Sequence, residues 1–272
     1  MAQQFPQDFS SFQQAAPPPP VRKRSGIISV VAVLVLILAI LVILNESLLK
    51  IHTIAVVGNQ RVTWDAVIEA AGLKRTTGYF TVNEAQIAAG IESNRYLIFE
   101  RLEKHFPDGL TIYVRERVPS VYVSEMGAVY QLDDEGMVLE RREQGQSSDD
   151  LFETAANESM IVVTGLKPKD LRVGRVMTAG STNHMNAYRE LLKELQLQGF
   201  SGQVSELNIT DPDSLYLVTT DGYTAHLGDL SNLRAKIGTV RAVVAKLREM
   251  EKKGGMLEAS KPGEAIYTPA NP

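Results

Sequence analysis

The sequence predicts an α+β protein with a single N-terminal transmembrane helix, a β-α-α-β-β module, and then a mixed β-sheet domain with packed helices. Three observations predict this class. An uncharged apolar run occupies residues 27–44, and residues 51–118 show the pattern strand, helix, helix, strand, strand. The rest of the chain combines short apolar runs, separated by turn residues, with two longer stretches of helical spacing.

The apolar run Ile27–Leu44 contains no charged side chain, and Ser29 is its one polar side chain. As an α-helix it is about 27 Å long, close to the hydrocarbon thickness of a bilayer. Because the basic residues Arg22–Arg24 precede it, we expect the N-terminus in the cytoplasm and residues 45–272 outside. A cleaved signal peptide shares the basic flank, but its apolar region is usually only about 7–15 residues. The run therefore predicts an uncleaved, single-pass type II anchor.

The composition excludes several classes of site. The 272 residues contain no cysteine, which excludes disulfides, a thiol nucleophile and thiolate metal ligands. The formal net charge is −4, and the N-terminal tail contributes +2, from Arg22, Lys23 and Arg24 against Asp8. The remainder then carries −6, which is unsuited to neutralising phosphates, so we expect no nucleic acid partner.

Changes in composition divide the chain into five segments. The first is rich in Gln, Ser and Ala and ends in the proline run Pro17–Pro20, so it is predicted to be disordered, with a short polyproline II spacer. The predicted segments are a cytoplasmic tail at 1–25, the transmembrane helix at 26–45, the β-α-α-β-β module at 50–119, the sheet domain at 120–268 and a short C-terminal tail at 269–272.

Local signals mark each element of the module. A β-branched run at 51–57 is stopped by a Gly-Asn turn. Thr63 can cap a short helix, and Asn83 with Gln86 three residues later can start a second one. The last strand shows a period of two, which is typical of a half-buried strand, with apolar residues at Leu110, Ile112 and Val114.

A family resemblance rests on residues 106–119. They read Phe-Pro-Asp-Gly-Leu-Thr-Ile-Tyr-Val-Arg-Glu-Arg-Val-Pro and match the signature P-x-x-L-x-I-x-V-x-E-R-x-P. With the first strand closed by Val56-Val57-Gly58-Asn59, and the module directly after an anchor, the chain resembles the FtsQ/DivIB cell-division proteins from about residue 25 to 268. The resemblance implies a POTRA domain at 50–119 and a β domain at 120–268.

The signature ends in charged residues, which are usually a solvated strand end. We expect Glu116 and Arg117 to pair across an exposed edge, and Pro119 to end the strand. A catalytic or anion-binding role for Arg115, Glu116 and Arg117 is the alternative. The resemblance implies instead that they lie where the POTRA domain meets the next domain and help to orient it.

Residues 120–142 read as a β-meander, followed by a polar, aperiodic stretch at 143–158 that predicts a mobile loop. The cluster Asp133–Gly136 predicts a hairpin turn, because a calcium loop needs the spacing D-x-[DN]-x-[DN]-G.

Two stretches of helical spacing follow the meander. The first predicts a helix from about His184 to Gln198. The second, from Leu230 to Leu247, fits either a helix packed on the sheet or a three-heptad coiled coil, and the packed helix is favoured. Gly238 inside it indicates a close approach of helix to sheet.

No pattern of catalytic or metal-binding residues occurs. The histidines His52, His105, His184 and His226 are isolated, and the sequence has no Walker loop, G-x-S-x-G or G-x-G-x-x-G motif. We predict no enzyme, cofactor, metal or small-molecule substrate, although a dispersed Ser/His/Asp triad stays open without spatial information. A membrane-anchored cell-envelope enzyme and a generic extracytoplasmic POTRA chaperone are the alternatives.

The resemblance implies a scaffold of the division machinery. Such proteins join two small single-pass partners, of the FtsL type and the FtsB/DivIC type, outside the cytoplasm. Through these partners they help to regulate septal peptidoglycan synthesis. The expected location is therefore the cell membrane at the division septum.

The final strand is the expected docking site. Because no strand follows it, its edge has unpaired backbone groups that can receive another strand. In the family the matching segment is where the FtsB/DivIC-type partner adds a strand, and Tyr267 is the best single candidate because aromatic residues carry much interface energy. The alternative is a last core strand only. The expected partner-binding residues are Gly263, Glu264, Ala265, Ile266, Tyr267, Thr268 and Tyr223.

Overall fold

The computed structural model describes residues 25–47, 50–74, 76–143 and 148–270. The tail predicted to be disordered, except its last residue, lies outside these ranges, as does the proline run within it. The first element is α1 (Ser25–Ser47), whose large apolar side chains from Ile28 to Ile43 are exposed, for example Ile28 at 68% and Leu38 at 62%. By length and hydropathy, no helix within the described ranges qualifies as a membrane span.

A three-stranded sheet follows α1. Its strand order is β1-β3-β2, with β1 parallel and β2 antiparallel to the central β3. The predicted order of strand, helix, helix, strand, strand is confirmed. The elements are β1 (Thr53–Val57), α2 (Trp64–Ala70), α3 (Glu84–Glu92), β2 (Leu97–His105) and β3 (Gly109–Glu116).

Both predicted helix caps are confirmed. The hydroxyl of Thr63 accepts a hydrogen bond from the N–H of Ala66 at 3.3 Å, which satisfies one of the free donors at the start of α2. Asn83 Oδ1 accepts from the N–H groups of Ala85 at 3.0 Å and Gln86 at 3.3 Å, at the start of α3. Local sequence therefore determines where both helices begin.

The alternation in β3 places one row of side chains under the two helices. Leu110, Ile112 and Val114 are buried there, as the period of two predicts. Gly58, at φ +100°, ends β1 so close to β3 that an added Cβ would lie 1.9 Å from the carbonyl oxygen of Val114. This close approach explains why glycine occupies the turn after β1.

The second sheet has nine strands in the order β12-β11-β10-β9-β8-β7-β4-β5-β6. It is mixed, because the pairs β4–β7, β7–β8 and β10–β11 are parallel and the others antiparallel. The predicted meander is confirmed as β4–β6. The strands are β4 (Val121–Glu125), β5 (Ala128–Leu132), β6 (Val138–Glu143), β7 (Ile161–Thr164), β8 (Val204–Asn208), β9 (Leu215–Thr219), β10 (Tyr223–Gly228), β11 (Gly255–Glu258) and β12 (Ile266–Thr268).

Helices α5 (Thr182–Leu197) and α6 (Leu233–Glu249) contribute to one large hydrophobic core with the nine-stranded sheet. The prediction of a packed helix rather than a coiled coil is confirmed for α6, because its apolar stripe is buried in this core. The reading of Gly238 is wrong. A Cβ there would meet Gln198 Oε1 at 3.3 Å, so the neighbour of Gly238 is the end of α5 and not the sheet.

The predicted loop at 143–158 is wrong over most of its length, because α4 (Ser148–Asn157) occupies it. Leu151 and Ala155, four residues apart, share one face of this helix and are buried. They belong to a small core with Tyr122 and Val162 from the sheet. Tertiary packing thus orders a segment whose sequence has few apolar residues.

Candidate partner-binding edge

The last strand, β12, lies at one end of the nine-stranded sheet and pairs only with β11 among the described strands. The pairing is antiparallel and brings Tyr267 opposite Leu257 and Ile266 opposite Glu258. The backbone groups on the outer side of an edge strand have no neighbouring strand to bond. The structure therefore brings the predicted final strand to a sheet edge.

The side chains of this segment divide between two environments. Gly263, Glu264, Ile266 and Thr268 are exposed, and Ile266 has 68% of its surface accessible. Ala265 and Tyr267 are half-buried and pack against the main core. The exposed set provides the groups that another molecule can contact directly.

The side chain of Tyr267 is fixed by contacts with the strands and core beside it. Its hydroxyl donates to the carbonyl oxygen of Gly254 at 3.1 Å, and Lys252 Nζ lies 5.8 Å from its ring centroid. The ring meets that of Tyr223 edge-on, with 6.3 Å between centroids. These contacts fix the aromatic ring while part of it stays accessible.

The expectation that Tyr223 contacts a partner directly is corrected by its position. Tyr223 is fully buried, and its hydroxyl donates to the carbonyl oxygen of Lys252. Burial, together with the nearby Tyr267 and Asp221, raises the pKa of Tyr223. The residue therefore supports Tyr267 from the core. The period of two in β10 could have revealed this, because Tyr223, Ala225 and Leu227 share the buried face.

A glycine allows β12 to lie close against the preceding strand. Gly255, at φ +113°, begins β11, and a Cβ there would lie 2.6 Å from the carbonyl oxygen of Thr268. The same Cβ would lie 2.8 Å from the ring of Tyr267. Both the backbone conformation and the lack of space therefore require glycine.

A chain of hydrogen bonds links β9, β10 and β11 beside the edge. The hydroxyl of Ser214 lies 3.0 Å from His226 Nε2, and His226 Nδ1 lies 2.8 Å from Glu258 Oε2. Burial raises the pKa of Glu258, but hydrogen bonds from Ser260 and His226 outweigh it and lower the pKa overall. The carboxylate of Glu258 thus accepts hydrogen bonds beside the edge.

Ser214, His226 and Glu258 are hydrogen-bonded in the same sequence as the Ser, His and acid of a hydrolase triad. A hydrolase also needs hydrogen-bond donors that stabilise the oxyanion of the intermediate. The N–H of Ser214 is already donated to the carbonyl oxygen of Asp211 at 3.0 Å. The hydrogen bonds of these three residues connect the turn before β9 to β10 and β11. Among the described residues, no group of three or more His, Asp or Glu is arranged to hold a metal ion.

Glu116, in the charged signature, does not pair across an exposed strand edge as expected. Its carboxylate accepts from the N–H groups of Gln60 at 2.6 Å, Arg61 at 2.9 Å and Val62 at 2.8 Å. Burial raises the pKa of Glu116, but these three bonds outweigh it and lower the pKa overall. Glu116 therefore organises the turn after β1.

Arg117 connects the two sheets. Its guanidinium donates to Asp133, which is buried, and to Glu135 Oε2 at 2.9 Å, both in the turn after β5. Tyr96 donates to Glu140 at 2.7 Å across the same boundary. The local sequence at 133–136 predicts a hairpin turn only. Arg117, the partner of Asp133, lies 16 residues away in the signature, and no local pattern connects the two residues.

Comparisons with known proteins agree with this architecture. Residues 49–117 match the family described as POTRA domain, FtsQ-type, and residues 121–259 match Cell division protein FtsQ/DivIB, C-terminal. The chain is 20% identical to Cell division protein DivIB of Clostridium tetani over 235 residues, covering 85% of this chain and 84% of the relative. It is 23% identical to DivIB of Clostridium botulinum strain Hall over 250 residues, covering 90% and 93%.

A solved structure was also found, the major extracytoplasmic domain of DivIB from Geobacillus stearothermophilus. Its sequence identity is 17%, its TM-score is 0.28, and the match covers 49% of this chain and 96% of that chain. Since the C-terminal family alone matches more than half of the sequence, the chain belongs to the FtsQ/DivIB family of cell division proteins.

Proposed function

We propose that this chain is a membrane-anchored scaffold of the division machinery that receives a β-strand from a partner at β12. The observation that carries the proposal is the free edge of the nine-stranded sheet, with the exposed side chain of Ile266 on it. The proposed partner is an FtsB/DivIC-type protein, with an FtsL-type protein bound through it. This role involves no catalysis by the chain itself.

The chemistry of the edge supports strand addition. Backbone hydrogen bonds give such a contact its affinity, and alternate side chains give it specificity. Ile266 and Met256, exposed by 68% and 52%, lie on neighbouring strands and offer an apolar surface beside the edge. We propose Gly263–Thr268 as the contacting segment, with Tyr267 as its half-buried anchor and Tyr223 as the support beneath it. The alternative, a last core strand without a partner, lacks a reason for the exposed Ile266.

We also propose that α1 anchors the chain, although no helix in the described ranges qualifies as a membrane span. The uncharged run at 27–44 and the basic residues Arg22–Arg24 support this. The proposed boundaries are a cytoplasmic tail at 1–25, an anchor at 26–45, a POTRA domain at 50–119, a β domain at 120–268 and a tail at 269–272.

Protease digestion tests the orientation of the anchor. External protease on intact cells should remove residues beyond about 45. Full protection of the C-terminal region would contradict the orientation.

Truncation tests the docking edge. The full chain and a chain ending at Pro262 are compared in pull-down assays with the extracytoplasmic part of the FtsB/DivIC-type partner. We expect the truncated chain to keep its circular dichroism spectrum and lose the partner. Full retention of the partner would place the docking surface elsewhere.

A matched pair of substitutions controls for folding. Ile266→Asp places a charge on the proposed interface, whereas Met126→Asp alters a side chain that is 96% exposed in the turn after β4. We expect only Ile266→Asp to weaken partner binding.

In living cells, a fluorescent fusion of the unmodified chain should form a ring at midcell, and uniform peripheral label would count against a division role.

A further inference from the structure

Three aromatic side chains form a cluster on the three-stranded unit, which we call the aromatic rim: Tyr79, Phe80 and Phe106. Tyr79 meets Phe80 edge-on at 5.4 Å and Phe106 edge-on at 5.9 Å between ring centroids. Tyr79 is buried, but Phe80 and Phe106 are exposed by 64% and 72%. Two exposed phenylalanine rings that contact the same tyrosine are unusual on a surface that faces only water.

The aromatic rim lies at the end of the sheet where the chain arrives from α1. Lys50 forms a β-bridge with Gly78, directly before Tyr79, and the N–H of Ile51 donates to the carbonyl oxygen of Thr77 at 3.0 Å. Phe106 is in the turn between β2 and β3, at the same end as the start of β1, because Thr53 pairs with Gly109. All three rim residues therefore lie near Lys50 and Ile51.

The connection from α1 to this end of the sheet is short. Ser47 ends α1 and Lys50 forms the bridge to Gly78, so three Cα–Cα steps join them. At 3.8 Å per step their Cα atoms are at most about 11 Å apart. Whatever surrounds the C-terminal end of α1 is therefore within reach of the aromatic rim.

We propose that the aromatic rim inserts into the outer interface of the lipid bilayer in which α1 is anchored. The proposal rests on the anchor in the proposed function and adds a second membrane contact. Phenylalanine is one of the apolar side chains that peripheral membrane segments bury at the boundary between headgroups and acyl chains. Lys50, which forms a β-bridge with Gly78 directly before Tyr79, supplies a cation for anionic headgroups. Asp108, whose Oδ2 lies 3.5 Å from His52 Nδ1, carries one negative charge near the rim, which Lys50 offsets.

Contact at two points would limit the tilt of the three-stranded unit on the membrane. Because Arg117 connects this unit to the second sheet, the orientation of β12 relative to the membrane would be restricted as well. The aromatic rim would thus help to hold the docking edge in a defined orientation for a partner that is itself in the membrane.

Fluorescence of a single tryptophan tests the rim. The chain has one tryptophan, Trp64, whose side chain is 45% exposed, so Trp64→Phe provides a silent background. Phe80→Trp and, separately, Phe106→Trp are added, with Met126→Trp as the control. The full chain is reconstituted into phosphatidylcholine and phosphatidylglycerol vesicles with brominated acyl chains. Flotation with the vesicles is measured on the same samples, and circular dichroism checks the fold of each variant.

We expect blue-shifted, bromine-quenched emission at residues 80 and 106, and unshifted, unquenched emission at residue 126. If the chain floats with the vesicles but neither rim position is quenched, the rim proposal is wrong and the anchor stands. Equal quenching at residue 126 would also overturn it, because the contact would then be unspecific. A chain that does not float removes the anchor, and the rim proposal with it.

Discussion

Glu116 binds backbone groups of its own domain instead of a charged side chain across the strand edge. Its carboxylate is bound by three consecutive backbone N–H groups, from Gln60 to Val62. Hydrogen bonds to a charged group contribute about 1.5–3 kcal/mol each when buried, and less when half-exposed. The signature residue therefore stabilises a loop of its own domain, while its neighbour Arg117 reaches the next one.

Glu116→Gln should lower stability by about 1–2 kcal/mol at pH 7, because the charged acceptor is lost while its size is kept. The pKa of Glu116 is lowered on folding, so its contribution is present above the unfolded pKa and is lost as pH falls through the folded one. Urea unfolding between pH 6 and pH 3 should therefore depend less on pH in the variant. Glu92→Gln, at an exposed site, is the control. An unchanged pH dependence would contradict this role.

Ile112→Ala tests the phase of β3. Ile112 is fully buried, so the substitution should cost about 2–5 kcal/mol of unfolding free energy. Thr111→Ala, on the other face, loses a contact of 2.9 Å with His105 and should cost far less. Chemical denaturation measures both. Equal losses of unfolding free energy at the two positions would mean that Ile112 does not lie on the buried face of β3.

At the scale of elements, predictability follows from how local the signal is. Thr63 and Asn83 are within three residues of the groups they cap, so sequence identifies both helix starts. The apolar spacing of α4 is too sparse to predict the helix, because Leu151 and Ala155 are explained only by the sheet face that they cover. The buried position of Tyr223 follows from a period of two, but its contact with Tyr267 depends on a parallel pairing of β10 with β11.

Gly255→Ala should loosen β12 without unfolding the sheet. The added Cβ would meet the carbonyl oxygen of Thr268 at 2.6 Å, and a backbone at φ +113° disfavours any side chain. We expect a local loss of about 1–3 kcal/mol, seen as faster amide hydrogen exchange in β11 and β12. Gly202→Ala is the matched control, because a Cβ there has no neighbour within 4 Å. Similar exchange in the two variants would show that β12 does not depend on this approach.

At the scale of the whole molecule, the link between the two sheets depends on a few polar contacts. Arg117 and Asp133 have side chains only 11% and 2% exposed, and they come from different sheets. Sequence indicates that the signature lies near the boundary, through the family resemblance, but the acidic partners follow only from the fold. The docking edge also follows only from the fold, because a strand can be identified as an edge strand only once all of its neighbours are known.

Arg117→Ala should release the two sheets from their fixed arrangement. Removing one member of a buried ion pair costs about 3–5 kcal/mol, and the lower end applies because Asp133 keeps bonds to the N–H groups of Glu135 and Met137. Small-angle scattering of residues 50–270 should show a broader distance distribution, with secondary structure unchanged. Arg172→Ala, which breaks an exposed pair with Asp170, should leave the scattering unchanged. An unaltered profile for Arg117→Ala would contradict this link.

Amide hydrogen exchange of the full chain, with and without the extracytoplasmic part of the FtsB/DivIC-type partner, distinguishes strand addition from side-chain docking most directly. Strand addition gives the outward N–H groups of β12 new backbone acceptors. We predict that the partner slows exchange within residues 264–268 and leaves β6, at the opposite edge, unchanged. Partner binding that leaves the exchange of residues 264–268 unaltered would contradict docking at this edge.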